Sequence, residues 1–119
     1  DCISLINTLT GMVIDIERRR PVLANNTGGV SGAGIMPIAL RMVFEAAHAV
    51  SIPVIGMGGI TCGRDAIAFM MAGARAVQVG TANFTDSYAI PRIVREMEEW
   101  LEAHGISDVN EIVDTLQLN

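Results

Sequence analysis

The sequence predicts an α/β fold in which a parallel sheet is covered by helices. Three observations carry the prediction. Short apolar runs of β-type residues stand at 3–6, 52–55 and 76–79. Each closes on a turn: Asn7-Thr8 after the first, Gly56-Met57-Gly58-Gly59 after the second, Gly80-Thr81 after the third. Between and after these runs the apolar residues recur at helical spacing. Short apolar strands alternating with helices signal a parallel sheet buried by its crossover helices.

The elements follow in order. After the first strand, the segment 11–26 breaks the rhythm. Residues 12–16 and 21–24 read as two strands of a hairpin turning at Arg18-Arg19-Arg20. Such insertions at the C-terminal ends of barrel strands are where lids and partner surfaces are kept. Gly28-Gly29-Val30-Ser31-Gly32 reads as a glycine-rich loop before the first helix. That helix spans 37–50; Arg41, Glu45 and His48 share one solvated face and the other residues pack. Arg41 and Glu45 form a candidate i,i+4 pair. The second helix runs from about 64 to 72, with Gly73 as its stop. The third has Pro91 in its first turn and ends before Gly105. Its apolar stripe is Ile93, Met97, Trp100 and Leu101, opposite Arg92, Arg95, Glu96, Glu99 and Glu102. A last helix starts at Ser107 as N-cap and buries Val109, Ile112, Val113 and Leu116.

Composition removes several function classes. Half of the 119 residues are hydrophobic and 18% are charged, which argues against disorder. A net charge of −5 argues against a nucleic-acid partner and against an anionic membrane surface. No apolar stretch approaches the roughly 18 residues of a membrane span. Cys2 and Cys62 lie far apart and suggest neither a zinc site nor a disulfide, in keeping with a reducing cytoplasm. The chain opens with no initiator Met and no leader-like segment, so it reads as the interior of a longer chain with further barrel units upstream.

The glycine clusters carry the chemistry. Glycine at a strand end lets backbone N–H groups approach a ligand without an intervening Cβ. With a helix N-terminus behind them, such groups suit a phosphate. One cluster alone is ordinary turn geometry; three at successive strand ends, on one face, favour a phosphate-bearing ligand. Thr85-Asp86-Ser87-Tyr88 is a candidate start for the short extra helix of such a site. Asn7-Thr8 can donate to and accept from a planar polar substrate, and serves equally as a strand-ending Asx- or ST-turn. His48 reads as surface, His104 as a cation at a helix end, and Cys62 as a small loop residue with no base nearby. Cys2 reads as strand packing, the arginine run as a solvated hairpin tip, and most of the seven Met as core.

Taken together, Asn7-Thr8-Leu9-Thr10-Gly11-Met12, Thr27-Gly28-Gly29-Val30-Ser31-Gly32, Ile55-Gly56-Met57-Gly58-Gly59-Ile60 and residues 74–83 (ending Gly80-Thr81-Ala82-Asn83), closed by Phe84, resemble the dihydroorotate dehydrogenases in order and spacing. The resemblance covers essentially the whole chain. It is strongest to the catalytic subunit of the NAD-dependent branch, in which the hairpin at 11–26 also occurs. It implies the C-terminal part of a TIM (βα)8 barrel: about three βα units plus a hairpin insertion, in one FMN-binding domain.

The resemblance further implies oxidation of (S)-dihydroorotate to orotate in pyrimidine biosynthesis. A cysteine base removes a proton from C5 and a hydride leaves C6 for FMN. Asn7 and Thr8 would hydrogen-bond the substrate, and Ile6 would contact FMN. Gly32, Gly58, Gly59, Gly80 and Thr81 would hold its ribityl phosphate. The family's catalytic cysteine and flavin-side lysine fall upstream of this segment, so no catalytic residue is expected here and the segment alone is expected to be inactive. FAD and a [2Fe–2S] cluster would reside on an electron-transfer subunit, in a heterotetramer of two catalytic and two electron-transfer chains. Two other readings stay open: another phosphate-gripping barrel oxidoreductase, such as a dihydropyrimidine dehydrogenase or an inosine monophosphate dehydrogenase relative, or a non-catalytic half-barrel.

Overall fold

In the computed structural model, which describes residues 1–119, seven strands and four helices follow in order. The strands are β1 (Ile3–Leu5), β2 (Leu9–Gly11), β3 (Ile14–Asp15), β4 (Arg20–Pro21), β5 (Gly28–Val30), β6 (Val54–Met57) and β7 (Ala76–Gln78). The helices are α1 (Met36–Ala49), α2 (Gly63–Met71), the single-turn α3 (Ala82–Thr85) and α4 (Ala89–Ala103). Strands β1, β6 and β7 form a parallel sheet in that order, with Ile3 opposite Val54, Leu5 opposite Gly56 and Met57 opposite Gln78. Helices α1 and α2 pack on it, but the covering expected of a parallel sheet is incomplete: only β6 has buried residues, and β1 and β7 stay largely exposed. The main core joins Ile6, Ile35, Ala39, Val43, Val54, Ile60, Ala66, Phe69, Ala74 and Ile93.

The second strand lies further along the chain than its apolar run suggests. It begins at Val54 and contains Gly56 and Met57, which the sequence reading assigned to the turn. Pro53 has no N–H to give a ladder; its carbonyl instead takes the N–H of Ile3 at 3.0 Å, and Ile52 is exposed. Gly56 belongs inside the strand because the ring of Phe69, fully buried, lies against it. A Cβ at position 56 would stand 2.6 Å from Phe69 Cδ1 and 3.3 Å from Ala74 Cβ. Gly56→Ala is therefore expected to cost about 2 kcal/mol through overpacking. Thermal or urea unfolding measures it.

The helices are close to expectation, with informative exceptions. Arg41 and Glu45 pair at 2.6 Å on the solvated face of α1, where His48 also lies. Not everything else on that helix packs: Pro37 and Ile38 in its first turn are exposed, and only Ala39 and Val43 are fully buried. On α4, Ile93 is buried and Met97, Trp100 and Leu101 pack partly, as the stripe predicts. Arg92 and Glu96 leave the solvated face, however, and turn towards α2. Gly63 at the start of α2 allows this, since a Cβ there would meet Glu96 Cβ at 2.6 Å and Met97 N at 2.8 Å.

The expected last helix is a single 3-10 turn, Val109–Ile112. Its N-cap is Asp108 and not Ser107: the Asp108 carboxylate accepts the N–H of Asn110 at 2.9 Å, and Glu111 accepts the N–H of Asp108 at 3.0 Å. The chain then leaves the helical path because α2 offers its terminal carbonyls. Asp114 N–H donates to Met70 O and Leu116 N–H to Met71 O. Leu116 consequently stays half exposed while Ile112 is buried against Ile67 and Met70.

The hairpin insertion is present, and it is longer overall than the sequence indicates. Its outer ladder pairs β3 with β4, Ile14 opposite Pro21, over two residues each. Asp15 accepts the N–H groups of Glu17 and Arg18 in the turn, where Arg19 has a φ of 53°. An inner ladder pairs β2 with β5, Leu9 opposite Val30 and Gly11 opposite Gly28. Residues 28–30, read from sequence as loop, are thus a strand. Their glycines serve close packing: a Cβ on Gly29 would meet Thr8 Oγ1 at 2.6 Å. Cys2, expected to pack, is exposed, because β1 is the edge strand of the sheet.

Candidate active site

Parallel strands deliver all their C-terminal ends to one side, so the turns after β1, β6 and β7 converge there. A cleft of about 400 Å³ lies between them, lined by Ile6, Thr8, Gly32, Gly58, Gly59, Gly80 and Thr81. A second lobe of about 210 Å³ continues past Gly32, Gly59, Gly80 and Thr81 to Thr61 and Thr85. Asn7 stands in an adjoining hollow of about 400 Å³ with Ser4, Ile6, Thr8 and Met57. All eight binding residues expected from sequence therefore gather in one region. A depression of about 420 Å³ at the opposite pole, lined among others by Val50, Pro53, Arg75 and Asp114, contains none of them.

The glycines differ in what they do. Gly58 and Gly59 have φ of 130° and 78°, and Gly32 has 97°, conformations that side chains oppose. At Gly59 a Cβ would also meet Met36 N at 2.8 Å and Gly32 O at 2.9 Å. Gly80 has nothing within 4 Å of its Cβ position and leaves its cleft wall open. The N–H groups of Gly59, Gly80 and Thr81 donate to no protein acceptor. Asn83 accounts for the outer side of this turn. Its side-chain amide donates to the carbonyls of Val79 at 2.9 Å and Gly80 at 3.0 Å. Free N–H donors on a glycine-walled cleft suit a phosphorylated ligand. The short helix behind them begins at Ala82 and not at Thr85, so the 85–88 candidate begins where α3 ends.

Asn7 and Thr8 are both exposed at the end of β1. Asn7 Oδ1 accepts the N–H of Thr8 at 2.8 Å and the Thr8 hydroxyl at 3.5 Å, a bond to the next residue and not the Asx-turn's bond to the residue two on, and the Asn7 amide nitrogen donates to no protein acceptor. Ile6 is buried; its N–H donates to Met57 O at 3.0 Å.

Sequence reasoning missed Ser31, Ile35, Met57, Gln78 and Val79, which also line the main cleft. Gln78 is a polar residue at the last position of β7, a signal that could have found it. It also missed Arg92. Its Nε donates to Asp86 at 3.0 Å, one terminal nitrogen to Glu96 at 2.9 Å and the other to Thr61 O at 3.1 Å. Glu96 in turn accepts the N–H of Gly63 at 2.6 Å. That backbone bond, then Arg92, holds the Glu96 carboxyl below the usual carboxylate range. Burial pushes the Asp65 carboxyl up, but the N–H and hydroxyl of Thr61, both at 2.8 Å, together with Cys62 outweigh it and leave Asp65 lowered. The stabilisation from both carboxylates is full above their unfolded pKa values, near 4, and is lost as pH falls through the lowered folded ones.

The remaining candidates stand outside the cleft. His48 bonds Phe44 O and Asp114, and His104 bonds the carbonyl of Trp100 and stacks on its ring at 3.9 Å. Cys62 is the N-cap of α2. Arg18 pairs with Asp15 at the hairpin tip. No helix is long and apolar enough to cross a membrane.

The family model for dihydroorotate dehydrogenase matches residues 1–101. Among curated relatives, the catalytic subunit of dihydroorotate dehydrogenase B (NAD(+)) of Citrifermentans bemidjiense is 62% identical over 118 residues, covering 99% of this chain and 39% of the relative. The same subunit of Geobacter metallireducens is 61% identical over 118 residues, with the same coverage. That of Trichlorobacter lovleyi is 56% identical over 117 residues, covering 98% of this chain and 38% of the relative. The chain thus spans about two fifths of the length of the curated relatives it matches.

Proposed function

Because this chain belongs to the dihydroorotate dehydrogenase family, we propose that it supplies the C-terminal strand ends of a TIM barrel that oxidises (S)-dihydroorotate to orotate with FMN in pyrimidine biosynthesis. The observation that carries the reading is the convergence of Thr8 with the turns at 58–59 and 80–81 on one cleft, with Asn7 in the hollow that adjoins it. The free edges of β1 and β7, and the exposed Ile3 and Phe84, support a sheet continued by further barrel strands.

The cleft residues fit FMN. The N–H groups of Gly59, Gly80 and Thr81, with the Thr81 hydroxyl, would hold its phosphate; Gly32 would leave room for the ribityl chain, and Gly58, whose Cβ position is filled by Ala39, would face it with backbone. Bound there, FMN would supply hydride acceptance. Ile6 would back the flavin from the sheet. Asn7 and Thr8 would orient the substrate by hydrogen bonds, fixing which carbon faces the flavin. The base that takes the C5 proton, and a lysine beside the flavin, would come from the rest of the barrel, so this segment by itself would be inactive. The relatives' designation as a catalytic subunit of an NAD(+) enzyme supports a second subunit; we propose that it is an iron–sulfur flavoprotein with FAD and a [2Fe–2S] cluster that passes electrons to NAD, in a cytoplasmic heterotetramer.

The test is the visible spectrum of the full-length protein under anaerobic conditions. A flavin band bleached by dihydroorotate is the expected result. A colourless protein, or a flavin that dihydroorotate does not reduce, would refute the reading; a flavin reduced by a dihydropyrimidine instead would favour the neighbouring oxidoreductase class.

A further inference from the structure

We propose that Arg92 is a positioning residue that sets the spacing of the two phosphate-gripping turns and thereby the preference for FMN over unphosphorylated riboflavin. The inference rests on the FMN reading above and adds a residue that touches no ligand in it. Two segments wall the smaller lobe: the turn after β6, through Gly59 and Thr61, and the turn after β7, through Gly80, Thr81 and Thr85. No backbone hydrogen bond joins them. Arg92 does. It holds the carbonyl of Thr61 on one side and the carboxylate of Asp86, next to Thr85, on the other. Its third arm fixes Glu96, whose other oxygen holds Gly63 at the start of α2.

A guanidinium is suited to this because its planar fork offers donors in three directions; a lysine ammonium reproduces the charge but not the fork. The Thr61 end is itself fixed, since its N–H and hydroxyl both go to Asp65. The Asp86 end is fixed by the N–H of Tyr88 at 2.9 Å. Cutting Arg92 would therefore let two well-formed turns move relative to each other without unravelling either. The isoalloxazine and ribityl parts of the ligand would lie on the other lobe, towards Ile6 and Thr8, which shares Gly59, Gly80 and Thr81 but not the Arg92-held Thr61 or Thr85, and would register that movement less than the phosphate.

The experiment titrates full-length Arg92→Lys and Arg92→Gln apoprotein with FMN and with riboflavin, following flavin fluorescence. FMN binding is expected to weaken about tenfold while riboflavin binding stays within about twofold, so the ratio between them falls. Asp86→Asn, which removes one arm only, should shift the ratio in the same direction by less, and decides the matter should the Arg92 variants fail to fold. An unchanged ratio would overturn the proposal, whether both affinities hold or both fall together; the latter would make Arg92 a stability residue alone. A wild-type protein that binds FMN no better than riboflavin would instead refute the phosphate reading of the cleft.

Discussion

Gly59→Ala is expected to weaken FMN binding about a hundredfold in the full-length protein and to lower its stability by about 3 kcal/mol. Two costs add. The residue has a φ of 78°, which an alanine adopts only with strain. Its Cβ would also press on backbone, Met36 N and Gly32 O, both inside 3 Å, and backbone cannot rotate away as a flexible side chain can. Either the start of α1 or the turn at Gly32 must shift, and both border the cleft. Flavin titration and a thermal melt read the two effects. Gly80→Ala is the control: its Cβ meets nothing within 4 Å and its φ is ordinary, so the fold should survive with a narrower cleft. A Gly59→Ala protein that held FMN like wild type would remove this turn from the site.

Asn7→Ala and Thr8→Ala should each reduce kcat/KM for dihydroorotate by about 10- to 100-fold, the value of one or two hydrogen bonds to a charged substrate. Flavin content should remain near wild type, since neither side chain supports the glycine turns. The two effects should not add. Asn7 Oδ1 accepts the Thr8 N–H at 2.8 Å, so losing Asn7 also loosens Thr8. Steady-state kinetics with saturating FMN measure this. A kcat/KM unchanged in both single variants would reduce the pair to the turn that ends β1.

The parallel sheet and its three helices were legible because apolar runs and helical spacing report burial directly. The cleft was legible because its glycines cluster at the strand ends that wall it. What escaped the sequence was packing between elements. Gly56 and Gly28 look like turn residues, yet each sits in a strand beside a bulky neighbour, Phe69 in one case and Leu23 in the other. Arg92 belongs to a charged run whose members are indistinguishable by spacing; only the approach of α4 to Gly63 draws it inward. The C-terminal tail kept its capping signal, displaced by one residue, but lost its helix to the hydrogen bonds it donates to the last carbonyls of α2.

The two strands of the inner hairpin ladder leave the cleft directly, β2 after Thr8 and β5 before Ser31. This makes the arm unequal in its tolerance of change. Adding or deleting one residue within β2 would turn its side chains to the opposite face and rotate Thr8 out of the cleft with them. Beyond Asp15 the turn answers to no cleft residue, and extra length there costs little. Length variation among natural or engineered versions of this arm should therefore accumulate at residues 16–19, where a tag or a grafted loop could be carried without reaching the chemistry.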